Sequence, residues 1–99
     1  MIIDITKEGG KTTLFLDGRL DATTSPKLLE VLIPAFEDAA FVKLDLTKLN
    51  YVSSAGLRVL LMGHKTAKTK NIPMTVSCAS EDIMEVFDMT GFSNVLVFE

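Results

Sequence analysis

Apolar residues along this chain alternate between two spacings. Ile2-Ile3-Asp4-Ile5-Thr6 and Thr12-Thr13-Leu14-Phe15-Leu16 are β-rich runs, and the Gly9-Gly10 pair between them predicts a hairpin. Gly18-Arg19-Leu20-Asp21-Ala22-Thr23-Thr24 follows as a polar connection. From Ser25-Pro26 the spacing turns helical: the serine hydroxyl suits an N-cap, proline suits the first turn, and Leu28, Leu29, Leu32, Ile33 and Phe36 form one stripe. Pro34 inside that stripe cannot donate to the carbonyl of Glu30, which predicts a kink or an early end.

Phe41-Val42-Lys43-Leu44-Asp45-Leu46 is the next strand, and a connection from Asp45 onward leads to a second helix. That helix carries Leu57, Leu60, Leu61, His64 and Ala67 or Lys68 at helical spacing. It runs from about Ser54 to Lys70, where cations suit the negative end of the helix dipole. Met74 to Cys78 is a strand. Ser80-Glu81-Asp82 is a cap with an acidic first turn, Ile83, Val86 and Phe87 are the buried side of a third helix, and Gly91 stops it. Val95 to Phe98 closes the order β-β-α-β-α-β-α-β. Strands alternating with helices imply parallel neighbours, so the expected fold is α/β, a mixed β-sheet backed by helices that begins from an antiparallel hairpin.

Residues 1–99 read as a single domain, with no repeat, linker or low-complexity run. At 47% hydrophobic and 23% charged, the chain is too apolar for disorder and too short for a second core. Its net charge of −3 comes without a cluster of Lys and Arg, so a phosphate-tracking surface for nucleic acid is not expected. No apolar run approaches the ~18–20 residues that cross a bilayer, and no leader pattern is seen, so no membrane insertion is expected. The lone Cys78 cannot form an internal disulfide and is expected to be a small buried thiol. The expected location is a reducing cytoplasm. With one Cys and one His, no zinc site and no cofactor are expected.

The chemistry concentrates between Asp45 and Leu57, ahead of a helix N-terminus, where open α/β sheets place their sites. Ser53 and Ser54 are adjacent there, followed by Ala55-Gly56, which permits close packing of helix on sheet. One serine serves as N-cap, which leaves a second hydroxyl surplus to capping. Phosphorylated, that hydroxyl would add a charge of about −1.5 to −2 beside the positive end of the helix dipole. A catalytic serine is not expected. The sole histidine, His64, lies ten residues beyond Ser54 on the same helix, about 15 Å along the axis, and no Gly-x-Ser-x-Gly elbow occurs. Neither glycine-rich phosphate-binding motif is present. Met84 and Met89 suit packing or a partner surface equally. Asp17, Asp21 and Asp45 fall at strand ends, where Asp is an ordinary turn residue. Alternatively they share the rim with Ser54, Asp45 capping the approach to the serines and Asp21 orienting the hydroxyl or a partner.

Gly18-Arg19-Leu20-Asp21-Ala22, Leu44-Asp45-Leu46-Thr47 and Tyr51-Val52-Ser53-Ser54-Ala55-Gly56-Leu57 together resemble the STAS domain of sulphate transporters and bacterial anti-sigma-factor antagonists. A stand-alone domain of 99 residues is more similar to the antagonists. The resemblance implies a non-enzymatic regulator in a partner-switching pathway. The unphosphorylated antagonist binds an anti-sigma factor that is also a serine kinase, phosphorylation ends the complex, and a serine phosphatase restores it. In the family pattern the phosphoserine follows an aspartate and precedes a small residue and a glycine, which places the acceptor at Ser54. Here Ser53 stands where the family has aspartate, so Ser53 is the alternative acceptor. Arg58 stands where many relatives have a small residue, and its cation suits a phosphate or an acidic partner surface. The expected partner-binding face comprises Asp21 and Thr23 from one turn and Ser53, Ser54, Ala55, Gly56 and Arg58 from the other. Homo-oligomers are compatible with this reading. The alternatives are an unphosphorylated STAS interaction module of a transport or signalling complex, and a sensor of a nucleotide or lipid.

Overall fold

Strand β1 (Ile2–Glu8) turns at Gly9-Gly10 into β2 (Lys11–Leu20) in the computed structural model, which describes all 99 residues. Both turn glycines have positive φ, +57° and +81°, the conformation that a tight hairpin with right-handed strand twist demands. Helix α1 (Ser25–Ala35) leads to β3 (Phe41–Val52). Helix α2 (Ser54–Lys70), β4 (Met74–Ser77) and α3 (Glu81–Thr90) follow, with a 3-10 turn at Phe92–Asn94. The sheet order is β1-β2-β3-β4. β1 and β2 are antiparallel, whereas β2/β3 and β3/β4 are parallel, each pair joined by a crossover that carries a helix. The mixed sheet backed by helices is as expected.

Register aligns the apolar faces of the strands. Leu14 of β2 stands beside Leu44 of β3, and Leu44 beside Val76 of β4, all three buried. Leu28 and Leu32 of α1, Leu57 and Leu60 of α2, and Ile83 and Phe87 of α3 complete one cluster of buried apolar side chains. Gly63 of α2 lets the two helices approach: a Cβ there would stand 2.6 Å from Leu32 Cδ2.

Five local expectations need correction. Ser25 is not the cap of α1, because the helical turn begins earlier: the Ser25 N–H already donates to the Asp21 carbonyl at 2.8 Å, an i→i−4 bond. The expected connection after Leu46 is strand as far as Val52, and Gly18–Leu20 of the other expected connection belongs to β2. Val95–Phe98 is not a full strand. Gly91 stops α3 in the left-handed region and the 3-10 turn spends the next residues, so the chain meets β4 only at a single Val76↔Phe98 bridge. Cys78 is exposed, because φ +60° at this residue turns the chain out of β4.

The remaining boundaries follow local chemistry. Pro34 ends α1 early, with Phe36 N–H falling back to Ile33 O at 3.2 Å in a tightened last turn. α2 ends at Lys70 with Lys68 and Lys70 in its last turn and Asn71 as a left-handed cap. Ser80 Oγ caps α3 by accepting from Ile83 N–H at 3.2 Å. No helix is long and apolar enough to cross a membrane.

Candidate functional site

The C-terminal ends of β2 and β3 converge on one rim. Between Phe15↔Asp45 and Leu20↔Val52 the pairing offset grows by two residues, so β3 carries two extra residues as bulges. Their effect is to bring Arg19 beside Tyr51 and Leu20 beside Val52 as both strands leave the sheet. Gly18, at φ +112°, accommodates one of these irregularities on β2.

Beyond Val52 the backbone N–H of Ser53 donates to the Leu20 carbonyl at 2.9 Å, which ties the start of α2 to the end of β2. Ser53 is the N-cap of α2: its backbone is extended and its Oγ accepts the Gly56 N–H at 3.3 Å. Gly56 is buried against Leu20, and a Cβ at that position would fall 2.7 Å from Leu20 Cγ and 2.9 Å from the Leu20 carbonyl oxygen. Only glycine permits this approach of helix to strand. Ser54 is the first residue of α2, is exposed, and has no side-chain hydrogen bond within the chain. The pair of serines therefore divides its work: Ser53 caps and Ser54 is free.

The facing turn is built on Asp21. Its Oδ1 accepts the N–H groups of Thr23 at 3.0 Å and Thr24 at 3.1 Å, together with the Thr24 hydroxyl at 3.2 Å. Thr24 Oγ1 in return accepts the Asp21 N–H at 2.9 Å, and its single proton is shared between Asp21 Oδ1 and the nearer Arg19 carbonyl at 2.7 Å. Residues 21 and 24 thus form a reciprocal capping box at the entrance to α1. The Thr24 N–H, chiefly, holds the Asp21 carboxyl below the usual carboxylate range. Thr23 N–H, the Thr24 hydroxyl and the Arg19 charge act in the same direction, against partial desolvation. Arg19 Nε lies 3.6 Å from Asp21 Oδ2, and its guanidinium carbon 4.0 Å from the centroid of the Tyr51 ring.

Of the residues read from the sequence, the two turns joined by the Leu20–Ser53 bond hold Asp21, Thr23, Ser53, Ser54 and Ala55, whereas Gly56, expected on the partner-binding face, is buried against Leu20 and serves helix packing instead. Arg58 is exposed one helical turn beyond Ser54. Asp45 is not among them. It sits in mid-β3 between Phe15 and Ser77, accepts the Thr47 N–H at 2.9 Å, and precedes Val52 by roughly 20 Å of strand at ~3.3 Å per residue. Asp17 pairs with Ile2 and Lys48 inside the sheet and likewise stays away from the serines.

A family model described as the STAS domain matches residues 3–99. The chain belongs to the STAS family. Among similar proteins, the anti-sigma-B factor antagonist of Listeria monocytogenes is 27% identical over 84 residues, covering 84% of this chain and 74% of the relative. That of Bacillus subtilis is 26% identical over 94 residues, covering 95% and 86%. The solved structure of the anti-sigma factor antagonist SpoIIAA in its unphosphorylated form superposes with a TM-score of 0.84 at 13% identity, covering 99% of this chain and 88% of that one. The phosphorylated form of SpoIIAA, from Bacillus, gives a TM-score of 0.77, also at 13% identity, over 99% and 91%. These structural matches place the fold.

Two members of the rim in this STAS domain escaped the sequence reading, Arg19 and Tyr51. An arginine and a tyrosine more than thirty positions apart become neighbours only through strand register, and no local pattern announces it. Thr24 is different. It follows Asp21 at capping-box distance, a signal that was present and was masked by the stronger appearance of Ser25-Pro26 as a helix start.

Proposed function

We propose that this STAS domain is an anti-sigma-factor antagonist that binds an anti-sigma factor with serine-kinase activity and is released when Ser54 is phosphorylated. The names of its curated relatives support the antagonist part of this reading. Phosphorylation is carried by one observation: Ser53 occupies the capping role, so the Ser54 hydroxyl is exposed and unengaged at the N-terminus of a long helix. SpoIIAA, solved in phosphorylated and unphosphorylated forms, supports it further.

The chemistry asked of this chain is small. Ser54 Oγ attacks the γ-phosphorus of ATP bound to the kinase, an O–P bond forms as the bond to ADP breaks, and the hydroxyl proton passes to a base on the kinase. The STAS domain is the substrate and performs no catalysis. A serine phosphatase reverses the change by hydrolysis. Phosphate at the helix N-terminus is compatible with the fold, since the free N–H groups of the first turn and the dipole both favour an anion. It also adds negative charge and bulk to a face that Asp21, Thr23 and Ala55 offer to the partner. Binding therefore changes while folding does not.

The test is incubation with the cognate kinase and ATP, followed by peptide mass spectrometry. Phosphate on Ser54, absent from Ser54→Ala, is the expected result. Modification of Ser53 alone, or no modification together with a complex indifferent to Ser54→Asp, overturns the reading.

A further inference from the structure

Strand β1 leaves one long edge of the sheet open. The far edge is covered: beside β4, the Val76 N–H donates to Val97 O at 2.8 Å and the Glu99 N–H to Val76 O at 3.0 Å. β1 pairs with β2 alone, and its Ile2 and Ile5 side chains are 60% and 46% exposed. The hairpin fixes which backbone groups face outward. Gly9 and Gly10 form a two-residue turn with positive φ at both positions, so Glu8 and Lys11 close it as a hydrogen-bonded pair. Alternation then commits Thr6, Asp4 and Ile2 to β2 and turns the N–H and C=O groups of Lys7, Ile5 and Ile3 out of the sheet.

We infer that β1 is the interface of a symmetric dimer, in which a second copy of this chain adds its own β1 antiparallel with Ile5 facing Ile5 on the two-fold axis. Opposed residues must share a face of the sheet, so the axis passes through a residue rather than between two. An axis at Asp4 opposes two carboxylates, and one at Thr6 opposes Asp4 to Glu8. The axis at Ile5 opposes Asp4 to Thr6 and Ile2 to Glu8, brings no like charges together and uses the whole strand. Its remaining pairs are Ile5 with Ile5 and Ile3 with Lys7, the residues whose backbone groups already face outward, and each pair exchanges both bonds.

Helix α1 supplies charge complementarity. Lys27 in its first turn donates to Met1 O at 3.2 Å, and Asp38 beyond its end pairs with Lys7 at 3.3 Å, so the helix runs beside β1 in the same direction. This order of charge opposes the helix dipole, which favours acid at the start and base at the end. The two-fold axis reverses the second α1, so the Lys27 end of each copy meets the Asp38 end of the other. Between α1 and the edge lies a groove of about 460 Å³, whose lining includes Ile5, Leu14, Val31 and Pro34, with room for the facing isoleucines. Lys7, the charged side chain on this side of β1, lies at the end of the strand and does not guard its middle. The two Ser54 rims then stand at opposite ends of the dimer, one for each partner.

The experiment uses the full chain carrying Cys78→Ser, which removes the exposed native thiol. Ile5→Cys places two thiols on the axis, where the Cα atoms of a hydrogen-bonded pair stand ~5.5 Å apart, within disulfide range. Mild oxidation should give a covalent dimer of Ile5→Cys, whereas Asp4→Cys and Thr6→Cys should cross-link only when mixed with each other. Sedimentation equilibrium of the unchanged chain should show monomer and dimer exchanging with concentration, since two seven-residue strands bury less than the roughly 1,200 Å² of a standard interface. Ile5→Lys and Ile5→Glu should each weaken association by about tenfold or more with the circular dichroism spectrum kept, and their equimolar mixture should restore it. Ile5→Pro removes an outward N–H that β2 does not use, and should be a folded monomer. A monomer at every concentration up to millimolar overturns the assignment, as does cross-linking of Asp4→Cys alone with none for Ile5→Cys. So does a dimer that Ile5→Lys and Ile5→Pro leave at full strength.

Discussion

The Ser53 N–H donates to the Leu20 carbonyl at 2.9 Å, and the same carbonyl oxygen closes the space beside Gly56, where a Cβ would fall within 2.9 Å of it. One backbone group on β2 thereby sets both the entry of the chain into α2 and the height at which the helix sits. Ser54 is presented on the outer side of that junction, and the Asp21 turn begins one residue further along the facing strand. Changes at the junction should therefore separate capping, packing and signalling.

Ser53→Ala should lower stability by about 0.5–2 kcal/mol through loss of the cap, while Ser54→Ala should change it by less than about 0.5 kcal/mol, as for other surface positions. Urea unfolding of the two variants measures this directly. A larger loss for Ser54→Ala would reverse the roles of the two serines.

Gly56→Ala should be destabilising by about 1–3 kcal/mol, despite the better helix propensity of alanine, because the added methyl meets both Leu20 Cγ and its carbonyl oxygen. The backbone oxygen cannot swing away as a side-chain end would. A melting temperature equal to that of the unchanged protein would mean that α2 sits further from β2 than described.

Asp21 links stability to acid pH. Its carboxyl titrates below the ordinary aspartate range in the fold, principally because the Thr24 N–H bonds to the charged form. Since the folded value is the depressed one, the stabilisation is present in full above the unfolded value and is lost as pH falls through the folded one. Asp21→Asn should therefore flatten the dependence of unfolding free energy on pH below about pH 4, where unfolded aspartates take up protons. Parallel curves for the two proteins in that range would exclude this contribution.

Ser54→Asp should weaken the complex with the anti-sigma partner while leaving the circular dichroism spectrum unchanged, because an acidic side chain suits the first helical turn. Ser54→Ala should bind as the unmodified protein does and stay bound after treatment with kinase and ATP. Calorimetric titration of both against the partner separates a charge effect from the mere loss of a hydroxyl.

How much of this was legible in one dimension depends on how far each signal reaches. The limits of α2 at Ser54 and Lys70 match the expectation, because the serine pair and the lysine-rich end act within a single turn. The same is true of the hairpin at Gly9-Gly10, the early end at Pro34, and the Ser80 and Gly91 boundaries of α3. β3 beyond Leu46 was hidden for a definite reason. Its buried residues Leu44, Leu46, Leu49 and Val52 are spaced by two, then three, then three, because each bulge shifts the alternation by one residue. That spacing is neither a strand's nor a helix's, so the segment resembled a loop. Cys78 misled similarly: a small residue at a strand end is buried by default, and a left-handed φ exposes it here.

Local chemistry was thus enough to set the order of elements, the position of the serine pair and the need for glycine beside it, since capping, proline geometry and apolar spacing act over a few bonds. Which serine caps, that Asp45 lies far from the rim, and that Arg19 rests on Tyr51 all depend on register between strands distant in the chain. Register is settled by burying every apolar face at once, together with the bulges that this burial tolerates, and no stretch of the chain carries that information alone.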